Sequence, residues 1–198
     1  TVPVAELRTR AEATDWVETS RYADVVEFSE AVAAADPRIH MTTMGYSMEG
    51  RPIPLLVVGD VADASPEAVL TSDKLRIYAQ GSIHAGEVPG KEAIQMLLRD
   101  VALGTYDAWL DSVVLLLVPM YNVDGSERVT LTNRPRQNGP IGGMGQRANA
   151  QGLDLNRVNT GIVIWASQAT STVFRIANVK FTGQAGTGPP PPQVVYTV

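Results

Sequence analysis

His84 and Glu87 stand three residues apart in the loop Ser82-Ile-His-Ala-Gly-Glu87, just after the apolar run Leu75-Arg-Ile-Tyr-Ala79. An imidazole and a carboxylate at that spacing can reach one zinc ion. A hydrolytic zinc site needs two or three fixed nitrogen or oxygen ligands and an open position, and the ion polarises the carbonyl under attack. Gly86 between the two residues is expected to let the backbone bend around the ion. On spacing alone a His and a Glu decorating a surface loop is the preferred reading, and the setting after a buried strand at the ligand-binding edge brings the two level. The other histidine, His40, falls in a strand-like run, where a structural imidazole is the expectation.

A second group is Leu153-Asp-Leu-Asn-Arg157. The Asn156 amide beside the Arg157 guanidinium can clamp a carboxylate, the arginine giving two parallel charge-assisted bonds. The plain alternative is a half-buried strand ending in an arginine. Asn122-Val-Asp-Gly125 reads as an Asx turn closing a strand at Val118, with shaping of the site floor as the other reading. Arg134 and Arg136 flank Pro135; loop arginines are usually solvated, but one placed here could stabilise an oxyanion. The glycines of Gly139-Pro-Ile-Gly-Gly-Met-Gly145 have no Lys-Ser/Thr after them, which argues against a nucleotide phosphate loop.

These groups need elements to hold them. Residues 20–35 have helical spacing at Tyr22, Val25, Val26, Ser29, Val32 and Ala33, with Ser20 as N-cap and Asp36-Pro37 as the stop. Ile39 to Tyr46 and Ile53 to Val58 form a hairpin candidate, with Gly50 supplying the positive φ of the turn. Leu75 to Gln80 is β-rich. Pro89 opens a helix that runs through Lys91 to Leu103, and Gly104 ends it. Val113 to Val118 suits a strand buried on both faces. Strand, helix and strand make a right-handed βαβ crossover. The loops 81–88 and 119–126 then open at one carboxyl edge, where open α/β sheets place ligands. The stretch from Gln137 to Gly152, rich in Gly and Asn, reads as irregular.

The 198 residues, 44% hydrophobic with a net charge of −5, suffice for one buried core. No basic stripe points to nucleic acid, and no run approaches the roughly 18 apolar residues of a membrane span. The chain holds no cysteine, which rules out disulfides and thiolate metal sites. It opens on Thr1 rather than Met, so a removed leader and an extracellular or periplasmic location are the expectation. Beyond Asp154 there is no Asp or Glu, and Gly186-Thr-Gly-Pro-Pro-Pro-Pro192 interrupts any element. We read 1–157 as the body and 158–198 as a tail of different origin, with Val194 to Val198 strand-like.

In this order the pieces resemble the zinc metallocarboxypeptidase family typified by carboxypeptidase A, in its bacterial secreted form, over about residues 14 to 157. The resemblance rests on Gly45-Tyr-Ser-Met-Glu-Gly-Arg-Pro-Ile-Pro54, His84-Ala-Gly-Glu-Val-Pro-Gly-Lys-Glu-Ala93, Val118-Pro-Met-Tyr-Asn-Val-Asp-Gly125 and Arg147-Ala-Asn-Ala-Gln-Gly-Leu-Asp-Leu-Asn-Arg157. It implies an α/β fold, a mixed and mostly parallel sheet with helices on both faces, incomplete at the C-terminal end. It implies zinc held by His84 and Glu87, a substrate carboxylate held by Asn156 and Arg157, and Arg134 polarising the scissile carbonyl, with Arg136 as the alternative. Peptide and protein C-termini are the implied partners. The family's third ligand, a later histidine, and its general base, a later glutamate, have no counterpart here, because no histidine follows His84 and no acid follows Asp154. The expectation is therefore a carboxypeptidase scaffold whose 198 residues have little activity. A non-catalytic binder of peptide C-termini and a zinc amidohydrolase of N-acyl amino acids are the alternatives; the Glu49-Gly50-Arg51 hairpin favours the carboxypeptidase branch.

Overall fold

The computed structural model describes residues 2–158. The tail beyond Val158, with its strand-like end, lies outside the described residues. The chain runs through a 3-10 turn (Val4–Glu6), α1 (Arg10–Ala13), α2 (Tyr22–Ala35), β1 (Ile39–Tyr46), β2 (Pro52–Val58), α3 (Pro66–Thr71), β3 (Leu75–Gln80), α4 (Pro89–Ala102), α5 (Asp107–Leu110), β4 (Val113–Val118), α6 (Val123–Glu127) and α7 (Leu155–Val158). Among these, no helix is long and apolar enough to cross a membrane.

Among the described residues the sheet is mixed and four-stranded, in the order β1-β2-β4-β3. β3 and β4 are parallel around the α4 crossover, while β1–β2 and β2–β4 are antiparallel. The β1–β2 hairpin pairs Ile39 with Val58 and Tyr46 with Pro52, with a slip between Thr43 and Gly45. Gly50 turns it at φ 78°, where a side chain would be strained.

Alternation along the strands sorts side chains onto two faces. Leu56, Val58, Leu115 and Leu117 point to one, where they pack with Phe28 and Val32 of α2 and Ile94, Leu98 and Val101 of α4. Val57 and Val114 point to the other, against Val69 of α3. Helices thus cover both faces. Burying each such aliphatic or aromatic side chain stabilises the fold by roughly 1.5–3 kcal/mol.

The first long helix begins later than the sequence implied. Its N-cap is Arg21, whose N–H donates to Asp24 Oδ2 at 2.7 Å. Ser20 is drawn elsewhere: its N–H and hydroxyl donate to the buried Glu92 carboxylate at 2.7 and 2.9 Å. Thr19 adds a third bond at 2.8 Å. A buried carboxylate needs such donors, and that demand outweighs the local preference for a serine cap. At the other end of α4, Gly104 (φ 81°) supplies the left-handed stop, donating to Val101 O at 2.9 Å.

Candidate metal and carboxylate site

The loops after β3 and β4 meet at one edge, as the crossover requires. Gly81 N–H donates to Val118 O at 2.8 Å, Tyr121 N–H to Gly81 O at 3.0 Å, and Asn122 N–H to Ser82 O at 3.1 Å. The bend in the His84 loop is carried by Ser82 at φ 52°. Gly86 has a different role from the one its flexibility implied. A Cβ there would stand 2.8 Å from Arg134 Nε and 2.9 Å from Gly145 O, so its missing side chain makes room for the arginine.

His84 is buried, and both ring nitrogens meet carboxylates. Nδ1 lies 2.9 Å from Glu87 Oε1, three residues on. Nε2 lies 2.8 Å from Asp154 Oδ1, 70 residues on. Asp154 is held well below the usual carboxylate range, chiefly by its hydrogen bond with His84 and then by Arg147. An ionised carboxylate only accepts, so Nε2 donates to Asp154. In a neutral ring this leaves the Nδ1 lone pair facing the Glu87 oxygen. A proton or a cation between them removes that opposition. An imidazole nitrogen and a carboxylate oxygen converging on one point, with the far nitrogen fixed by a second carboxylate, is a donor set that fits zinc. Among the described residues no group of three or more His, Cys, Asp or Glu is placed to hold one ion; His84 and Glu87 are a pair.

Two guanidinium groups border that pair. Arg134 Nη2 lies 3.4 Å from Glu87 Oε1, and its Nε is buried without a hydrogen-bond partner among the described residues. Arg147 donates from Nε to Asp154 Oδ2 at 2.8 Å, with Nη1 3.8 Å from Glu87 Oε1. Arg136 is exposed in the loop beyond. Sequence reasoning gave no role to Asp154 or Arg147. The available signal was their place in the Arg147–Arg157 block, two positions and nine positions before Asn156.

The Leu153–Arg157 segment is not a strand. Asn149 Oδ1 accepts from Leu153 N–H at 2.9 Å, and the chain turns into α7. Asn156 and Arg157 are exposed on it; Arg157 Nε lies 3.2 Å from Asp154 Oδ2 with its side chain 79% exposed. Asn122 caps α6, its Oδ1 accepting from Gly125 N–H at 3.0 Å, three residues on rather than two, so it starts a helix where the sequence implied an Asx turn. Asp124 is buried and receives Ser47 Oγ at 2.7 Å, Glu49 N–H at 3.2 Å and Arg51 Nη1 at 2.7 Å. Glu49 in turn pairs with Arg51 and Arg128. This moors the hairpin turn to α6. His40 sits apart, its Nε2 3.1 Å from Val61 O, a structural contact as expected.

Residues 25–181 match the zinc carboxypeptidase family. The chain is 34% identical over 83 residues to Carboxypeptidase 2 of Trichophyton rubrum, covering 40% of this chain and 15% of that protein. It is 28% identical over 149 residues to human Carboxypeptidase D, covering 65% of this chain and 11% of that protein. The matched stretches are thus a small share of either relative. The fold is similar to that of the carboxypeptidase A from Helicoverpa armigera, with a TM-score of 0.55 at 20% identity over 86% of this chain and 40% of the other. With more than half its length matched by the family, this chain belongs to the zinc carboxypeptidases.

Proposed function

We propose that the chain carries part of a zinc carboxypeptidase site that works on the free C-terminal end of peptides. One observation carries this reading: an imidazole held between two carboxylates, with two guanidinium groups against the outer one, at the carboxyl edge of an open α/β sheet. His84 and Glu87 would hold the ion, and Asp154 would fix the ring. When bound, zinc supplies Lewis acidity to a peptide carbonyl.

The chain's own side chains do the rest. Arg134 and Arg147 concentrate positive charge beside Glu87, where a carbonyl oxygen gaining negative charge is stabilised. Arg134 Nε, without a hydrogen-bond partner among the described residues, is a further donor there. Asn156 and Arg157 present an amide and a guanidinium to a terminal carboxylate; the Arg157 side chain is 79% exposed and, among the described residues, meets Asp154.

The 198 residues contain no histidine after His84 and no acid after Asp154. On their own they are expected to bind zinc through two side chains and to hydrolyse peptides little or not at all. Incubation with an N-blocked dipeptide, with and without zinc, tests this. No release of the terminal amino acid above a zinc-only blank is expected. Zinc-dependent release that disappears in His84→Ala would uphold the site and overturn the inactivity. Calorimetry with a free and an amidated peptide tests the clamp, heat being expected from the free carboxylate alone.

A further inference from the structure

Asn122, directly after β4, is 3% exposed and spends its polar groups on separate segments. Its backbone N–H donates to Ser82 O at 3.1 Å, in the loop that carries His84. Its Oδ1 caps α6 at Gly125 N–H. Its Nδ2 donates to the carbonyls of Arg147 at 3.3 Å and Ala148 at 3.2 Å. One residue thus joins the loop bearing His84 to the loop bearing Arg147. The packing there leaves no slack: a Cβ on Gly125 would stand 2.6 Å from Asn122 Nδ2 and 2.7 Å from Ala148 O. Gln146 N–H also donates to Gly125 O at 3.0 Å, pinning the same loop to α6.

From Arg147 the contacts continue outward, through Nε to Asp154 Oδ2 at 2.8 Å and from Asp154 Oδ1 to His84 Nε2 at 2.8 Å. We propose that Asn122 is a positioning residue for the His84–Glu87 pair. By holding the Arg147 and Ala148 carbonyls it fixes where Arg147 meets Asp154, and so keeps His84 Nε2 against Asp154 and Nδ1 turned to Glu87. Its importance for function rests on the zinc reading above.

An amide is required because one planar group must accept at Gly125 and donate twice at 147–148. Asn122→Asp keeps the cap, since Asp and Asn are equivalent there, but sets a carboxylate oxygen against two carbonyl oxygens. Asn122→Ser also keeps a capping oxygen and simply removes the tether. The experiment compares the wild-type chain, both variants and His84→Ala by thermal unfolding, by the ring-nitrogen resonances of His84 at one fixed pH, and by calorimetric titration with zinc. Both tether variants are expected to remain folded with displaced His84 nitrogen resonances. They should bind zinc more weakly by up to about tenfold, the lower end of the loss when a group directly behind a metal ligand is removed. Unchanged His84 resonances and zinc affinity in a folded variant would overturn the proposal, even if its melting temperature fell, because a cap alone accounts for that. If the wild type takes up no zinc, the zinc reading fails, and the His84 resonances alone decide the positioning role.

Discussion

The sheet body and the layer of loops at its carboxyl edge are held by different forces. In the body, Leu56, Leu98, Leu117, Val58 and Val101 are fully buried against one another, and the attraction is non-directional and proportional to area. At the edge, single polar atoms join distant segments. Ser47 meets Asp124 across 77 residues, His84 meets Asp154 across 70, and Arg128 meets Glu49 across 79. The body therefore sets whether the chain folds, and the edge sets where particular nitrogens and oxygens point. A change in one should leave the other's observable nearly untouched.

The largest effect should come from the body. Leu56→Ala opens a cavity at the centre of the sheet and is expected to cost about 2–5 kcal/mol, read as a lower denaturant midpoint with an unchanged slope. Next is the mooring of the hairpin turn. Asp124→Ala leaves Arg51 and Ser47 without their buried acceptor and should cost about 1–3 kcal/mol, with faster hydrogen exchange concentrated in residues 47–51. An equal loss of protection in β4 would break the separation between the regions.

Lys91 lies between the two regions, at the start of α4, and is 3% exposed. Burial pushes its pKa down to about 8 despite the nearby carboxylates of Glu92, Glu127 and Asp24, with Arg21 adding to the depression. The unfolded chain holds this proton more tightly, so stability rises with pH between about 8 and the ordinary lysine value of 10.5. Lys91→Met is expected to be more stable than the wild type by about 3 kcal/mol at pH 7. The gap should close towards pH 10.5 in paired urea titrations; a gap independent of pH would show that packing, not charge, sets it. Smallest in stability is Asp154→Asn, expected to leave the urea midpoint nearly unchanged at this solvent-screened position. The same substitution should weaken zinc binding about 10–100-fold, a split that a purely structural aspartate would not give.

The body was the legible part of the sequence. β1, β3 and β4 fall on the predicted residues, and α4 on the predicted helix, because alternation and 3.6-residue spacing are written locally. The edge was legible only where a motif was local. His84 and Glu87 are three residues apart and were found together; Asp154 reaches His84 only after the chain has passed β4 and the long loop, and no periodicity records that meeting. Arg134 and Arg136 flank one proline, yet only the first turns in against Gly86, because a missing Cβ elsewhere in the chain decides it. The Ser20 cap failed for a similar reason: its competitor, Glu92, lies 72 residues away. Long-range polar pairing is set by the three-dimensional fold, so it becomes readable only once the sheet edge is built.

The most direct test of the account is calorimetric zinc titration of the 198-residue chain beside His84→Ala and Glu87→Gln. One zinc per chain is expected, lost in the first variant and strongly weakened in the second, with thermal unfolding of the metal-free proteins nearly the same. Zinc uptake that survives both substitutions unchanged would contradict it.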